Sequence, residues 1–158
     1  MKAAGMIYLF DWGNTLMKDD PDATGPMYLW EKVALCYNAR PMLETLSRRH
    51  DLYLASNARD SDETDIRKAL KRVGIDIYIK GIFCFKRLGV LKPSAEFFNA
   101  VVAELCCLPG DILMVGDDPV NDVRWALDNG AQAVLYDPKG IYGDTGYNRI
   151  CDLMELCK

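Results

Sequence analysis

The sequence lacks the features that would place it in a membrane or on a nucleic acid. Its first apolar run, residues 6–10, is far too short for a signal peptide or a membrane span. Lys and Arg together number 19 against 23 Asp and Glu, so no excess of positive charge is available to displace the counterions of a nucleic acid or to bind an anionic membrane. We therefore expect a cytoplasmic protein without a nucleic-acid or membrane partner.

Histidine and closely spaced cysteine pairs are also scarce. The single histidine, His50, is expected to be a solvated residue at a helix end, where it would interact favourably with the helix dipole. No C-x-x-C pair is present, which argues against a structural zinc site, and scattered cysteines of this kind are typical of reduced thiols in a core. The six cysteines are Cys36, Cys84, Cys106, Cys107, Cys151 and Cys157.

The composition that remains is that of a globular protein. Half of the residues are apolar and 27% are charged, and a chain of this length can enclose one hydrophobic core. We predict a single domain over residues 1–158. The polar, acidic start of residues 17–38 interrupts the regular pattern, so this segment is a possible minimal cap or lid.

Short apolar runs alternate with helix-length segments along the chain. Continuous apolar runs bounded by polar turns are typical of strands buried on both faces of a parallel sheet. The order strand, helix, strand, helix predicts an α/β fold with a doubly wound, mainly parallel sheet and helices on both of its faces. The predicted strands are residues 6–10, 52–55, 112–115 and 133–136, and the predicted helices are residues 41–49, 63–73, 95–105 and 119–129.

Polar side chains follow two of these strands directly, at the position where such sheets bind ligands. Asp11 ends the first apolar run. A carboxylate held there could attack phosphorus and form an aspartyl-phosphate, which divides one difficult displacement into two easier ones. Ser56 and Asn57 follow the second run, where a hydroxyl and free backbone N–H groups could bind phosphoryl oxygens.

Three carboxylates crowd the end of the third run and the start of the next helix. Asp117, Asp118 and Asp122 supply hard oxygen ligands, which suit Mg²⁺ and its role in neutralising phosphate charge. Pro119 is typical of a first helical residue, which makes Asp118 the natural N-cap. We therefore rank Asp117 first as a metal ligand, Asp122 second and Asp118 third.

Lys92 is the remaining charged candidate. Pro93 follows it and restricts the backbone, so that the Lys92 ammonium could be directed at neighbouring carboxylates. An isolated Lys-Pro pair usually lies in a surface loop, and the functional interpretation depends on the other motifs.

Taken in order, Asp11, Ser56, Lys92 and the acidic segment resemble the four motifs of the haloacid dehalogenase-like (HAD) hydrolase superfamily. The resemblance covers nearly the whole chain and implies a Mg²⁺-dependent phosphohydrolase. It implies a catalytic pair, Asp11 and Lys92; substrate-binding residues Gly13, Thr15 (by bracing the nucleophile loop), Ser56, Asn57 and Lys92; and Mg²⁺ ligands Asp11, Gly13 (through its backbone carbonyl), Asp117 and Asp122.

Gly13 departs from the pattern of this superfamily. The phosphatase branch carries a second Asp at this position, which protonates the leaving group and then activates water. Positioned acid–base catalysis contributes about 10²–10⁴-fold, so its loss should slow the hydrolysis of alkyl phosphates, whose alkoxide leaving groups need a proton. Aryl and acyl phosphates should be affected less.

Three functions are therefore open. The first is a phosphohydrolase that acts through Asp11 on a phosphorylated small molecule or macromolecule. The second, suggested by Gly13, is a catalytically weak or inactive binding or regulatory protein with the same fold. The third is hydrolysis of a C–P or C–halogen bond, which rests only on the missing second Asp.

Overall fold

The computed structural model describes residues 5–158. Residues 1–4 lie outside the described residues. They belong to the N-terminal segment for which we predict no signal peptide. Across residues 5–158, no helix combines the length and the apolar character needed to cross a membrane.

A six-stranded sheet forms the centre of the molecule, and every strand pair in it is parallel. The strand order is β3-β2-β1-β4-β5-β6, so the chain winds outward in both directions from β1. This arrangement confirms the predicted doubly wound α/β fold. The strands are β1 Ile7–Phe10, β2 Asp51–Ser56, β3 Gly81–Cys84, β4 Ile112–Gly116, β5 Gln132–Tyr136 and β6 Arg149–Ile150.

Two α-helices, α2 (Glu63–Arg72) and α4 (Ala95–Leu105), begin after a residue whose side chain caps them. Asp62 and Asp65 form a reciprocal capping box at the start of α2, and the Ser94 side chain caps α4. Residues 119–129, predicted as one helix, are divided into a π-helical turn, Pro119–Arg124, and a short α-helix. The helices are α1 Ala39–Leu46, α2 Glu63–Arg72, α3 Phe85–Leu88, α4 Ala95–Leu105 and α5 Trp125–Asp128.

The hydrophobic core lies on both faces of the sheet because successive side chains of a strand point in opposite directions. On β1, Leu9 belongs to the cluster that contains Phe97 of α4, whereas Phe10 belongs to the cluster that contains Leu43 of α1. The central strands are therefore covered twice. This double burial is the reason that they read as continuous apolar runs in the sequence.

The strand register brings three polar strand ends together. Phe10 at the end of β1 is aligned with Leu54 on β2 and with Val115 on β4. Just beyond this row, the backbone N–H of Asp11 donates to the carbonyl oxygen of Val115 at 2.9 Å. The residues that follow β1, β2 and β4 thus share one edge of the sheet.

Two predictions about the scarce residues need correction. All six cysteines carry free thiols, but Cys106 and Cys151 are exposed and are not core residues. His50 follows α1 as expected, yet it is only partly exposed. Its ring packs edge-on against Tyr8, with 5.1 Å between ring centroids. This aromatic contact replaces part of the water that would surround a solvated histidine.

Residues 17–38 lie against the core in a largely irregular conformation. Their only helical turn among the described residues is the 3₁₀ turn Met27–Leu29. Arg72 of α2 donates to the carbonyl oxygens of Tyr28, at 3.1 Å, and Trp30, at 2.5 Å. The segment is therefore attached to α2 by backbone carbonyls as well as by the buried side chain of Met27.

Candidate active site

Asp11 follows β1 and begins a tight loop. Asn14 adopts the left-handed conformation with a φ of 60°, and the backbone N–H groups of Leu16 and Met17 both donate to the Trp12 carbonyl at 3.0 Å. These bonds turn the chain back beneath Asp11. The carboxylate of Asp11 consequently projects from the sheet edge, with its side chain 16% exposed.

Four charged side chains meet at this edge, and we refer to Asp11, Lys92, Asp117 and Asp122 as the charge cluster. The Lys92 ammonium lies 3.0 Å from Asp11 Oδ1 and 2.6 Å from Asp122 Oδ1. One carboxylate oxygen from each aspartate can be chosen so that all three lie within 4.8 Å of one another. The side chains of Lys92 and Asp122 are almost completely buried.

Burial and mutual repulsion set the protonation of the cluster. Burial raises the pKa of Asp117 well above the usual range, and the adjacent Asp11 carboxylate raises it further. Burial also raises the pKa of Asp122, although the Lys92 ammonium opposes the shift. Burial alone would lower the pKa of Lys92, but the Asp11 and Asp122 carboxylates outweigh it and keep the amine charged.

The charge cluster has the composition of a Mg²⁺ site. With all groups ionised, its three carboxylates and one ammonium carry two uncompensated negative charges, because one lysine balances only one aspartate. A divalent cation would neutralise them, and close carboxylate oxygens are the donors that Mg²⁺ prefers. The described residues therefore fit the ion chemically, with Asp11, Asp117 and Asp122 as the side chains able to hold it.

Thr15 contacts two carboxylates of the charge cluster. Its side chain is completely buried, and its hydroxyl lies 3.3 Å from Asp11 Oδ2 and 3.2 Å from Asp117 Oδ1. One hydroxyl hydrogen can serve only one carboxylate at a time. Thr15 therefore holds the Asp11 and Asp117 carboxylates near each other.

Asn57 holds the backbone of Lys92. The Asn57 side-chain NH₂ donates to the Lys92 carbonyl at 2.9 Å, and the Lys92 N–H donates to Asn57 Oδ1 at 2.8 Å. The paired bonds fix the point from which the lysine side chain enters the cluster. The Asn57 side chain thus positions Lys92.

Ser56 is the last residue of β2 and lines the same cavity as Asp11. Its hydroxyl oxygen accepts from the Ala58 N–H at 3.0 Å, which leaves the hydroxyl hydrogen available to donate. The side chain is held by this turn and is mostly buried. The Ser56 hydroxyl could therefore donate to an anionic ligand in the cavity that it shares with Asp11.

Asp122 reaches the cluster through close packing. A Cβ atom on Gly116 would overlap the Asp122 carboxylate, so glycine at the end of β4 makes room for it. Asp122 Oδ2 accepts from the backbone N–H of Asp118 at 3.1 Å. The side chain of Asp118 caps the π-helical turn through the N–H groups of Val120 and Asn121, both at 2.9 Å, as its sequence position predicted.

Two cavities open at this edge. The first, about 460 Å³, contains Asp11, Ser56 and Asn57, and residues 17–38 form one of its walls through Met27 and Trp30. The second, about 520 Å³, is bordered by Asp117 and Lys139. Asp19 lines both cavities, although sequence reasoning did not select it.

Asp137 is a second residue that sequence reasoning missed. It follows β5 and is 2% exposed, and its carboxylate accepts from the backbone N–H groups of Ile141 and Tyr142 at 3.0 and 3.2 Å. Arg149 lies 3.5 Å away. Asp137 therefore organises the wall of the second cavity, and its place directly after the fourth predicted strand was the available signal.

Comparison with known proteins identifies related sequences. Residues 90–148 match a family model described as HAD-hydrolase-like. The chain is 31% identical over 119 residues to a ribulose-1,5-bisphosphate 5-phosphatase from Halopiger xanaduensis, covering 74% of this chain and 48% of that protein. It is 35% identical over 104 residues to a phospholysine phosphohistidine inorganic pyrophosphate phosphatase from Danio rerio, covering 64% and 34%. The chain thus spans half or less of the length of these curated relatives.

Solved structures share the fold over almost their entire length. An uncharacterized protein from Listeria monocytogenes superposes with a TM-score of 0.85 at 22% identity, covering 96% of this chain and 94% of the other. A HAD hydrolase from Bacillus subtilis, bound to magnesium, superposes with a TM-score of 0.79 at 17% identity, covering 98% and 97%. At these identities the similarity establishes the fold.

Proposed function

We propose that the chain, in which residues 90–148 match a HAD-hydrolase-like family model, is a Mg²⁺-dependent phosphohydrolase of the HAD-like superfamily that acts through an aspartyl-phosphate on Asp11. The observation that carries the proposal is the charge cluster. It combines a partly exposed carboxylate with a buried ammonium 3.0 Å away and two further carboxylates. The two relatives named as phosphatases favour a phosphorylated substrate.

The chain's own residues have distinct tasks in the proposed reaction. Asp11 attacks the phosphorus atom while Lys92 and Thr15 hold its two oxygens in place. Ser56 and the Asn57 N–H donate to the phosphoryl oxygens in this proposal, which is supported by their position in the lining of the Asp11 cavity. When bound by Asp11, Asp117, Asp122 and the Gly13 carbonyl, Mg²⁺ would neutralise charge on the phosphoryl group.

Residues 17–38 are proposed to serve as a minimal cap within a single domain. They form one wall of the Asp11 cavity and leave it open to solvent on the other side. Such an opening would admit a phosphorylated small molecule or a phosphorylated group on a macromolecule. A cytoplasmic location agrees with the six free thiols.

The test is hydrolysis of p-nitrophenyl phosphate by the wild-type protein and by Asp11→Asn, each with Mg²⁺ and with EDTA. We expect turnover that requires Mg²⁺ and that falls at least about 10³-fold in Asp11→Asn, because the amide cannot form the phosphoryl adduct. Turnover that persists in Asp11→Asn would contradict the proposal. Circular dichroism of the variant confirms that the fold is retained.

A binding or regulatory function is the second candidate, and the glycine at position 13 favours it. It predicts that the protein binds Mg²⁺ and the phosphoryl mimic beryllium fluoride but does not turn over aryl or acyl phosphates. Calorimetric titration with Mg²⁺ and beryllium fluoride, combined with the hydrolysis assay, separates the two functions.

A further inference from the structure

Asp19 lies close to the space that a side chain at position 13 would occupy. A Cβ atom built on Gly13 would be 4.0 Å from the Cβ of Asp19, its nearest neighbour within the described residues. Gly13 is not in the left-handed region, so its backbone would accept a side chain. The space beside Gly13 is thus bordered by a carboxylate from elsewhere in the chain.

The geometry allows Asp19 to reach the same point as an aspartate at position 13. A carboxylate oxygen lies about 2.4 Å from its own Cβ, so the regions reached by the two side chains overlap when their Cβ atoms are 4.0 Å apart. Asp19 also lines the cavity that contains Asp11 and Ser56. Its carboxylate therefore has access to a ligand on Asp11.

Backbone contacts hold Asp19 in this place. Its N–H donates to Asn14 Oδ1 at 3.1 Å, which ties it to the residue after Gly13. The N–H of Lys18 donates to the Ala34 carbonyl at 2.8 Å. Asp19 Oδ1 accepts from the Asp20 N–H at 3.0 Å, and in the described part of the chain no hydrogen-bond donor engages Oδ2.

We propose that Asp19 supplies, from the loop, the acid–base carboxylate that position 13 lacks, and that the protein consequently hydrolyses alkyl phosphate monoesters. This inference rests on the phosphohydrolase function proposed above. It reverses the expectation drawn from Gly13 that alkyl phosphates are poor substrates. It also gives the exposed residue Asp19 a direct role beside the charge cluster.

The proposed reaction has two steps. In the first, an Asp11 oxygen bonds to phosphorus while the bond to the ester oxygen breaks, and protonated Asp19 gives its proton to that leaving oxygen. In the second, water bonds to phosphorus while the Asp11–phosphorus bond breaks, and the Asp19 carboxylate takes a proton from that water. Alcohol and phosphate are released, and both aspartates return to their starting states.

The experiment compares an alkyl substrate, glycerol 3-phosphate, with 2,4-dinitrophenyl phosphate, whose leaving group needs no proton. For Asp19→Asn we expect kcat/KM on the alkyl substrate to fall about 10²-fold or more, with less than about a tenfold change on the dinitrophenyl substrate. The dinitrophenyl substrate should also show a burst followed by slow turnover, because the adduct accumulates when water is not activated. Asp22→Asn, which makes the same change on the same loop at a residue that lines neither cavity, is the matched control.

A rescue variant distinguishes chemistry from folding. Gly13→Asp in the Asp19→Asn background should recover at least tenfold of the lost alkyl activity, since both positions reach the same point. Equal losses on the two substrates, no loss in Asp19→Asn, or a wild type that hydrolyses only the dinitrophenyl substrate would each overturn the role of Asp19. Inertness of the wild type toward both substrates would instead overturn the phosphohydrolase proposal, and this inference with it.

Discussion

The charge cluster and the acidic loop, defined as Asp19, Asp20 and Asp22, use the same side chain in different surroundings. In the cluster, Asp122 is buried and Asp11 and Asp117 are partly buried, close to a lysine and to each other. In the loop they are exposed, and those of Asp19 and Asp20 accept backbone N–H groups one or two residues ahead. The cluster is thus coupled to the whole fold, whereas the loop carboxylates organise only their own segment.

The difference shows how burial determines the consequence of a charge. Low polarity strengthens each interaction in the cluster and raises the cost of leaving any charge unpaired. Water screens the loop carboxylates, so their removal should have little effect on folding. We therefore expect substitutions in the cluster to change stability and metal affinity together, and substitution of Asp19 in the loop to change catalysis with little effect on stability.

Loss of the buried cation should have the largest effect on stability. Lys92→Met leaves Asp11 and Asp122 without their ammonium partner, and breaking a buried pair in this way costs about 3–5 kcal/mol. Urea unfolding in EDTA at pH 7 measures the change. Lys86→Met, at an exposed lysine on α3, is the matched control, and a similar small change in both variants would contradict the coupling of the cluster to the fold.

The next largest effect is expected from one added methyl group, which should lower the Mg²⁺ affinity when it is added at Gly116 but not when it is added at Gly13. Gly116→Ala displaces the Asp122 carboxylate, so we expect Mg²⁺ affinity to fall about tenfold or more, as for other residues that orient ligands. Gly13→Ala adds the same group where there is room for it and keeps the backbone carbonyl. Calorimetric titration with Mg²⁺ compares the two variants, and equal affinities would show that the cluster can adjust.

The pH dependence of stability should come from the cluster. The raised pKa values of Asp117 and Asp122 mean that the metal-free folded state holds protons that the unfolded state has already released above about pH 4. The free energy of unfolding should therefore decrease as the pH rises from 5 to 8. Urea titrations in EDTA should show a shallower decrease for Asp117→Asn and an unchanged one for Asp22→Asn.

The smallest effect is expected at Asp118, which lies beside the cluster but bonds to the backbone as the loop carboxylates do. Asp118→Ala removes an N-cap and should cost about 1 kcal/mol, while the backbone N–H that Asp122 accepts is retained. The Mg²⁺ affinity should change by less than about twofold. This is well below a tenfold change, which corresponds to about 1.4 kcal/mol of binding free energy. A large loss of affinity would make Asp118 a metal ligand.

Local patterns in the sequence were sufficient for most of the fold. The four apolar runs became β1, β2, β4 and β5 because central parallel strands are buried on both faces, and this leaves a continuous signal. Helix α4 has the predicted bounds since Ser94 caps it. The strands β3 and β6 were missed because their apolar signal is weak: β6 has only two residues, and β3 begins at Gly81 and has three apolar residues, whereas β1 belongs to a run of five.

The sequence by itself thus determined which polar residues follow which strands, and the order of the strands then brought Asp11, Lys92, Asp117 and Asp122 together. Only the tertiary structure decided that Thr15 is completely buried, that Gly116 makes room for Asp122, and that Asp19 borders the space beside Gly13. Periodicity and capping are local properties that neighbouring residues reveal. Contacts between loops depend on strand register and long-range packing, which no short segment encodes alone.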